Sequence, residues 1–233
     1  MSAIGDGCAI VSLGMSCQGA RQLRKNLGLL GDLTGGEMAH GSHFFDSLIS
    51  PLEGIAQLLD DGFPMFSRQD IADGPGHPTW RPYGLRFLHH FREATGAEAD
   101  IDVYFERDSS KFVHLREKFL NLRDVPRLIF IVQNSQNNLD DVAKTIGLND
   151  ITLSAATLRR LSASVGRFFG RPCPMIVASY RGRQGDVVLP DHAVLTRDDS
   201  EWEGDKAQWQ ALFAAEQGVL GGRVLSASTS SRT

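Results

Sequence analysis

The residue best placed for covalent chemistry is Cys17. It closes the run Ile10-Val11-Ser12-Leu13-Gly14-Met15-Ser16-Cys17, where a β-branched apolar stretch meets a glycine turn and a helical pattern follows at Ala20, Leu23, Leu27 and Leu30. A thiol at the opening of a helix meets unpaired backbone N–H groups and the positive end of the dipole, and both favour thiolate. Ligands of open α/β sheets bind beyond the carboxyl ends of the strands, where this turn is expected to lie. The spacing also allows a plainer role. Cys17 falls on the same apolar stripe as Ala20 and Leu27, and free cysteines are commonly small core residues.

A thiol nucleophile needs a base, usually a histidine brought near in space. The chain has seven. His89 and His90 end the run Gly84–Leu88; if that run is a strand, only one of the pair can face a site. His43 precedes Phe44-Phe45-Asp46. His114 falls off the stripe Phe112, Leu115, Phe119 and reads as solvated, while His40, His77 and His192 sit in loop-like or strand-edge settings. Asp46 suits either a local turn or the third group that orients a histidine. Asn134, Gln136 and Asn137 directly follow a second buried run; they suit either donors to a ligand or oxyanion, or a polar loop with Asn138 as helix cap. No His pair at helical spacing suggests a metal, and no glycine-rich phosphate loop occurs, so neither metal nor cofactor is expected.

The elements that must position these groups follow from periodicity. Cys8–Leu13, Leu128–Val132 and Met175–Ser179 are continuous apolar runs, not alternating ones, as in parallel strands covered on both faces. His192–Thr196 and Gly84–Leu88 are weaker strand candidates. Helices are expected at Ala20–Leu30, after a capping box Ser50-Pro51-Leu52-Glu53, around Phe112–Phe119, at Leu139–Ile146 up to Gly147, at Leu158–Phe168 up to Gly170, and around Trp209–Phe213. The pattern predicts one three-layer α/β domain over residues 1–225, with a mainly parallel central sheet flanked by helices. Residues 226–233 read as a flexible C-terminal tail, and Pro64–Pro82, with four prolines, as a long surface excursion.

Composition narrows the class. The 233 residues are 42% hydrophobic and 22% charged with net charge −4, which is ordinary globular usage. Basic residues are scattered, so neither nucleic acid nor a membrane surface is an expected partner. No apolar run reaches the roughly 20 residues of a membrane helix, and the first residues lack a secretory pattern. Three widely spaced cysteines do not suggest a disulfide framework. The expectation is a cytoplasmic protein with free thiols.

Several of these stretches together resemble a bacterial family described as papain-like cysteine peptidases. They are Val11-Ser12-Leu13-Gly14-Met15-Ser16-Cys17-Gln18-Gly19-Ala20-Arg21-Gln22-Leu23, Phe44-Phe45-Asp46-Ser47-Leu48, Phe87-Leu88-His89-His90-Phe91 and the basic helix Lys111–Phe119. They cover about residues 9 to 135 and occur in the family's order. The resemblance implies Cys17 as nucleophile, His89 as base with His90 as the alternative, and Asp46 as orienting carboxylate. Two positions depart from the family pattern: His90 stands where it has aspartate, and Ser47 where it has tryptophan. The start Gly14-Met15-Ser16-Cys17-Gln18 is also similar to serine esterases of the SGNH type and to capsule-biosynthesis acyltransferases, which are thought to bind coenzyme A.

The sequence therefore predicts a cysteine-dependent hydrolase acting on a small-molecule, peptide or saccharide substrate. Gly14, Ser16, Gln18 and Asn134 would surround the oxyanion or ligand. The alternatives are a coenzyme A-dependent acyltransferase or SGNH-like esterase acting on a saccharide, and a non-catalytic binding module whose Cys17 is core.

Overall fold

The computed structural model describes residues 2–73, 77–94, 96–146, 151–197 and 202–222. The strands are β1 (Ser2–Gly5), β2 (Cys8–Ser12), β3 (Ala39–Gly41), β4 (Leu48–Ile49), β5 (Ile71–Ala72), β6 (Thr79–Trp80), β7 (Leu85–Phe87), β8 (Arg127–Gln133), β9 (Met175–Tyr180) and β10 (Val194–Leu195). The helices are α1 (Gln18–Lys25), α2 (Leu27–Thr34), α3 (Leu52–Asp60), α4 (Ile101–Leu120), α5 (Leu139–Ile146), α6 (Ala155–Phe169), α7 (Lys206–Ala215) and α8 (Gln217–Leu220).

The protein is mixed α/β. A six-stranded mixed sheet has the order β10-β9-β8-β2-β1-β3. The three apolar runs of the sequence are its neighbours β2, β8 and β9, paired in parallel, and β10 extends them in parallel. β1 and β3 add antiparallel to the other edge. Side chains alternate across each strand, so a continuous apolar run feeds two cores at once. Ala9, Val11, Leu128, Phe130 and Val132 face the side carrying α3, α4 and α6. Cys8, Ile10, Ile129, Ile131, Ile176 and Ala178 face Leu23, Leu30, Trp209, Leu212 and Phe213 of α1, α2 and α7.

Several elements differ from the sequence expectation. The first helix is two helices, broken at Asn26, whose Nδ2 donates to Gln22 O at 2.9 Å. Ser50 does not cap α3: Pro51 takes the cap position with extended ψ of 134°, and Ser50 spends its N–H on Met15 O. Gly84–Leu88 holds a strand, β7, but in a separate antiparallel sheet β4-β7-β6-β5. Pro64–Pro82 is not a surface excursion throughout, because Phe66, Ile71 and Trp80 are buried and β5 and β6 lie within it. Phe66 and Trp80 join Phe44, Phe87, Phe91 and Phe112 in an edge-to-face aromatic cluster that ties the small sheet to α4. The Gly147 stop and the expected tail 226–233 lie outside the described residues. Among the described residues, no helix is long and apolar enough to cross a membrane.

Candidate functional site

The parallel strands end in a layer of buried amides and hydroxyls. Past β2 the chain stays pinned to β8: Leu13 N–H donates to Ile131 O at 2.8 Å, and Met15 N–H to Gln133 O at 3.0 Å. Gly14 is required between them, since a Cβ there would sit 2.8 Å from Gln133 Nε2. Gln133 Nε2 reaches Ser16 O and Oγ at 3.1 and 3.0 Å, while its Oε1 accepts Ser135 N–H at 2.9 Å. Ser135 Oγ donates to Gln18 Oε1 at 2.7 Å, and Gln18 Nε2 donates onward to Trp202 O at 2.9 Å. Excluded from water, each of these groups depends on its neighbour for a partner.

Arg183 holds the other side of the layer. Only 8% exposed, it donates through Nη1 to Asn134 O (2.9 Å) and Gln136 O (2.7 Å), and through Nη2 to the Asp140 carboxylate (2.5 Å). Asn134 Nδ2 returns bonds to Ile151 O and Arg183 O at 2.6 and 3.0 Å. The loop between β8 and α5 is thus fixed from two directions. Gly14, Ser16, Gln18 and Asn134, the expected ligand donors, spend these groups on the layer itself.

Cys17 sits on the rim. It is half-buried, whereas Cys8 and Cys173 are buried. It occupies the cap position of α1, and its Sγ donates to Gln136 Oε1 across 3.9 Å. Burial pushes the thiol above its ordinary value; its own backbone N–H pulls it down, and Glu203 adds to the rise. The helix start alone does not offset desolvation, so Cys17 is a thiol at neutral pH.

The residues expected to serve Cys17 have surroundings of their own. Asp46 accepts His43 N–H at 2.8 Å, its own N–H donates to His43 O, and the pair closes the turn before β4. His89 is exposed, and its pKa is lowered by partial burial and by Arg92 and Lys111. His90 is buried, and its Nε2 lies 2.8 Å from Ser47 Oγ. Ser50, beyond the Arg86 end of the β4–β7 pair, is the residue bonded to Met15, while Ser47 and His90 lie at the Phe87 end. The structure brings Cys17 to Gln136, and His90 to Ser47.

Gln133, Ser135, Arg183 and Ser47 are site residues that the sequence reading did not single out as such. Gln133 and Ser135 belong to the polar run that begins at the end of β8 and were legible there. Arg183, in Arg181-Gly182-Arg183, carries no signal to distinguish it from a solvated arginine. Among the described residues, no group of three or more His, Cys, Asp or Glu is placed to hold a metal ion. Comparison of the chain with protein-family models, with curated proteins and with solved structures gives no match.

Proposed function

We propose that the chain performs acyl chemistry at the carboxyl edge of its parallel strands, with Cys17 as nucleophile in a cysteine-dependent hydrolase. One observation carries this reading. Cys17 alone of the three cysteines reaches solvent, and it does so where a parallel strand gives way to a helix, the usual place for a ligand. The resemblance over residues 9 to 135 supports the same residue. Packing on both faces of the six-stranded sheet also supports a three-layer arrangement around its parallel strands.

In this reading Cys17 attacks the carbonyl of a peptide, saccharide ester or small-molecule ester. The oxyanion goes to backbone N–H groups of Ser16, Cys17 and Gln18, because those of Gly14 and Met15 are spent on Ser12 Oγ and Gln133 O. His89 takes the proton, with His90 as the alternative and Asp46 as the orienting carboxylate. Position supports Cys17, and the resemblance supports the other three. The test is adduct formation. A small acyl thioester incubated with the native protein should leave its acyl group on the Cys17 peptide, read by mass, and no adduct on the folded protein would reject acyl chemistry at Cys17.

A cavity on the same edge favours a second reading, acyl transfer from a phosphorylated carrier such as coenzyme A. About 450 Å³ in volume, it lies at the ends of β9 and β10 and is lined by Arg181, Arg183, Arg197, Asp140 and Thr196. Exposed Arg181 suits a phosphate group, while Arg183 and Arg197 pair with Asp140. Coenzyme A raising the melting temperature would favour transfer; no change would favour hydrolysis.

A further inference from the structure

We propose that Ser47 and His90 form a second nucleophile–base pair, a serine site that accepts the acyl group of an activated ester independently of Cys17. Ser47 Oγ stands 2.8 Å from His90 Nε2, which is hydrogen-bond reach between a nucleophile and its base. Ser47 is half-buried, while His90 is only 3% exposed.

The imidazole is held on several sides. Phe112 meets it edge-on with centroids 4.8 Å apart, and Phe87 does the same at 6.2 Å. Behind it Asp108, buried on α4, accepts the N–H of Phe91, the residue that follows His90. Asp108 also takes Arg107, so its carboxylate stays charged and acts on the ring. Phe91 has φ of +58°, a conformation that non-glycine residues rarely adopt, and the Asp108 bond fixes it there. Strained backbone of this kind collects at functional sites. Lys111, exposed on α4, adds positive charge that acts on both His89 and His90. Burial lowers His90 to about 4, so at neutral pH the ring is unprotonated.

The step balances as follows. Ser47 Oγ bonds to the ester carbonyl carbon while its proton passes to His90 Nε2. The tetrahedral intermediate collapses, the ester C–O bond breaks, and the leaving alkoxide takes the proton from His90. Water then attacks the acyl-serine with His90 again as base, which releases a carboxylic acid and restores Ser47. The sequence hid the pair because its members are distant along the chain and stand at the two positions that depart from the resembled family. Pairing of β4 with β7, Leu48 opposite Phe87, brings them together.

The experiment is labelling with a fluorophosphonate probe, read on the Ser47 peptide by mass spectrometry. The native protein should carry the phosphonyl group on Ser47 in preference to its other serines. His90→Gln should slow the labelling at least about 100-fold, the lower end of what a general base contributes. Cys17→Ser should leave it unchanged, which separates this site from the thiol reading. No adduct on Ser47 of the native protein, a measurement that needs no variant, overturns the proposal. Equal labelling in folded His90→Gln does so too, by removing the base.

Discussion

Arg183→Met tests whether one guanidinium holds the floor of the candidate site. Methionine keeps much of the apolar stem but removes the donors to Asn134 O, Gln136 O and Asp140. Losing one partner of a buried pair costs about 3–5 kcal/mol, because the remaining groups keep their desolvation penalty. Here Asp140 is 40% exposed and water can solvate it, so the lower end applies, about 3 kcal/mol. For a chain of this length each kcal/mol lowers the melting temperature by about 2–4 °C, which predicts a fall of about 6–12 °C. Urea unfolding followed by circular dichroism should show a lower midpoint with an unchanged slope. A loss under about 1 kcal/mol would mean that water replaces the guanidinium at both carbonyls, and that Arg183 does not order the loop.

Two further outcomes follow from buried groups. His43 is 2% exposed, neither ring nitrogen has a hydrogen-bond partner among the described residues, and burial lowers its pKa to about 3. Between pH 6.5 and about 3 the unfolded chain therefore binds a proton that the folded one refuses, so stability is intact above this window and falls as pH drops through it, by about 1.4 kcal/mol per pH unit. His90 adds the same slope down to about 4; His43→Leu should remove one proton's worth of slope between pH 6 and 4, and an unchanged slope would contradict the assignment. Gly54 in α3 faces Tyr83 so closely that a Cβ would lie 1.9 Å from Tyr83 O; Gly54→Ala should destabilise by at least about 2 kcal/mol in denaturant unfolding despite alanine's better helix propensity, and a neutral or stabilising change would refute that packing.

The parallel strands were legible because burial on both faces leaves a continuous β-branched run, and 8–13, 128–132 and 175–179 all show it. β1 and β3 were not legible: they are short, glycine-bearing strands that owe their place to pairing with β2 and with each other. β4 has only two residues and no periodicity to read. The small sheet was missed for the same reason, since its proline-rich connections look like loop until the aromatic rings pack. At the site, Cys17 was visible because a strand, a glycine turn and a helix start coincide there. Its true neighbour, Gln136, was visible only as one of several amides. Which histidine meets which partner depends on β4–β7 register, and register between distant strands leaves no trace in local sequence.

Competitive alkylation of the three cysteines tests the central claim most directly. Native protein treated with iodoacetamide at pH 7 and digested should show Cys17 modified well ahead of Cys8 and Cys173, which are buried in the two cores. The rate at Cys17 should rise as pH rises, since the thiolate is the reactive form and burial raises its pKa. Equal and slow labelling of all three until the fold is melted would contradict the account, and would make Cys17 a core residue of a binding module.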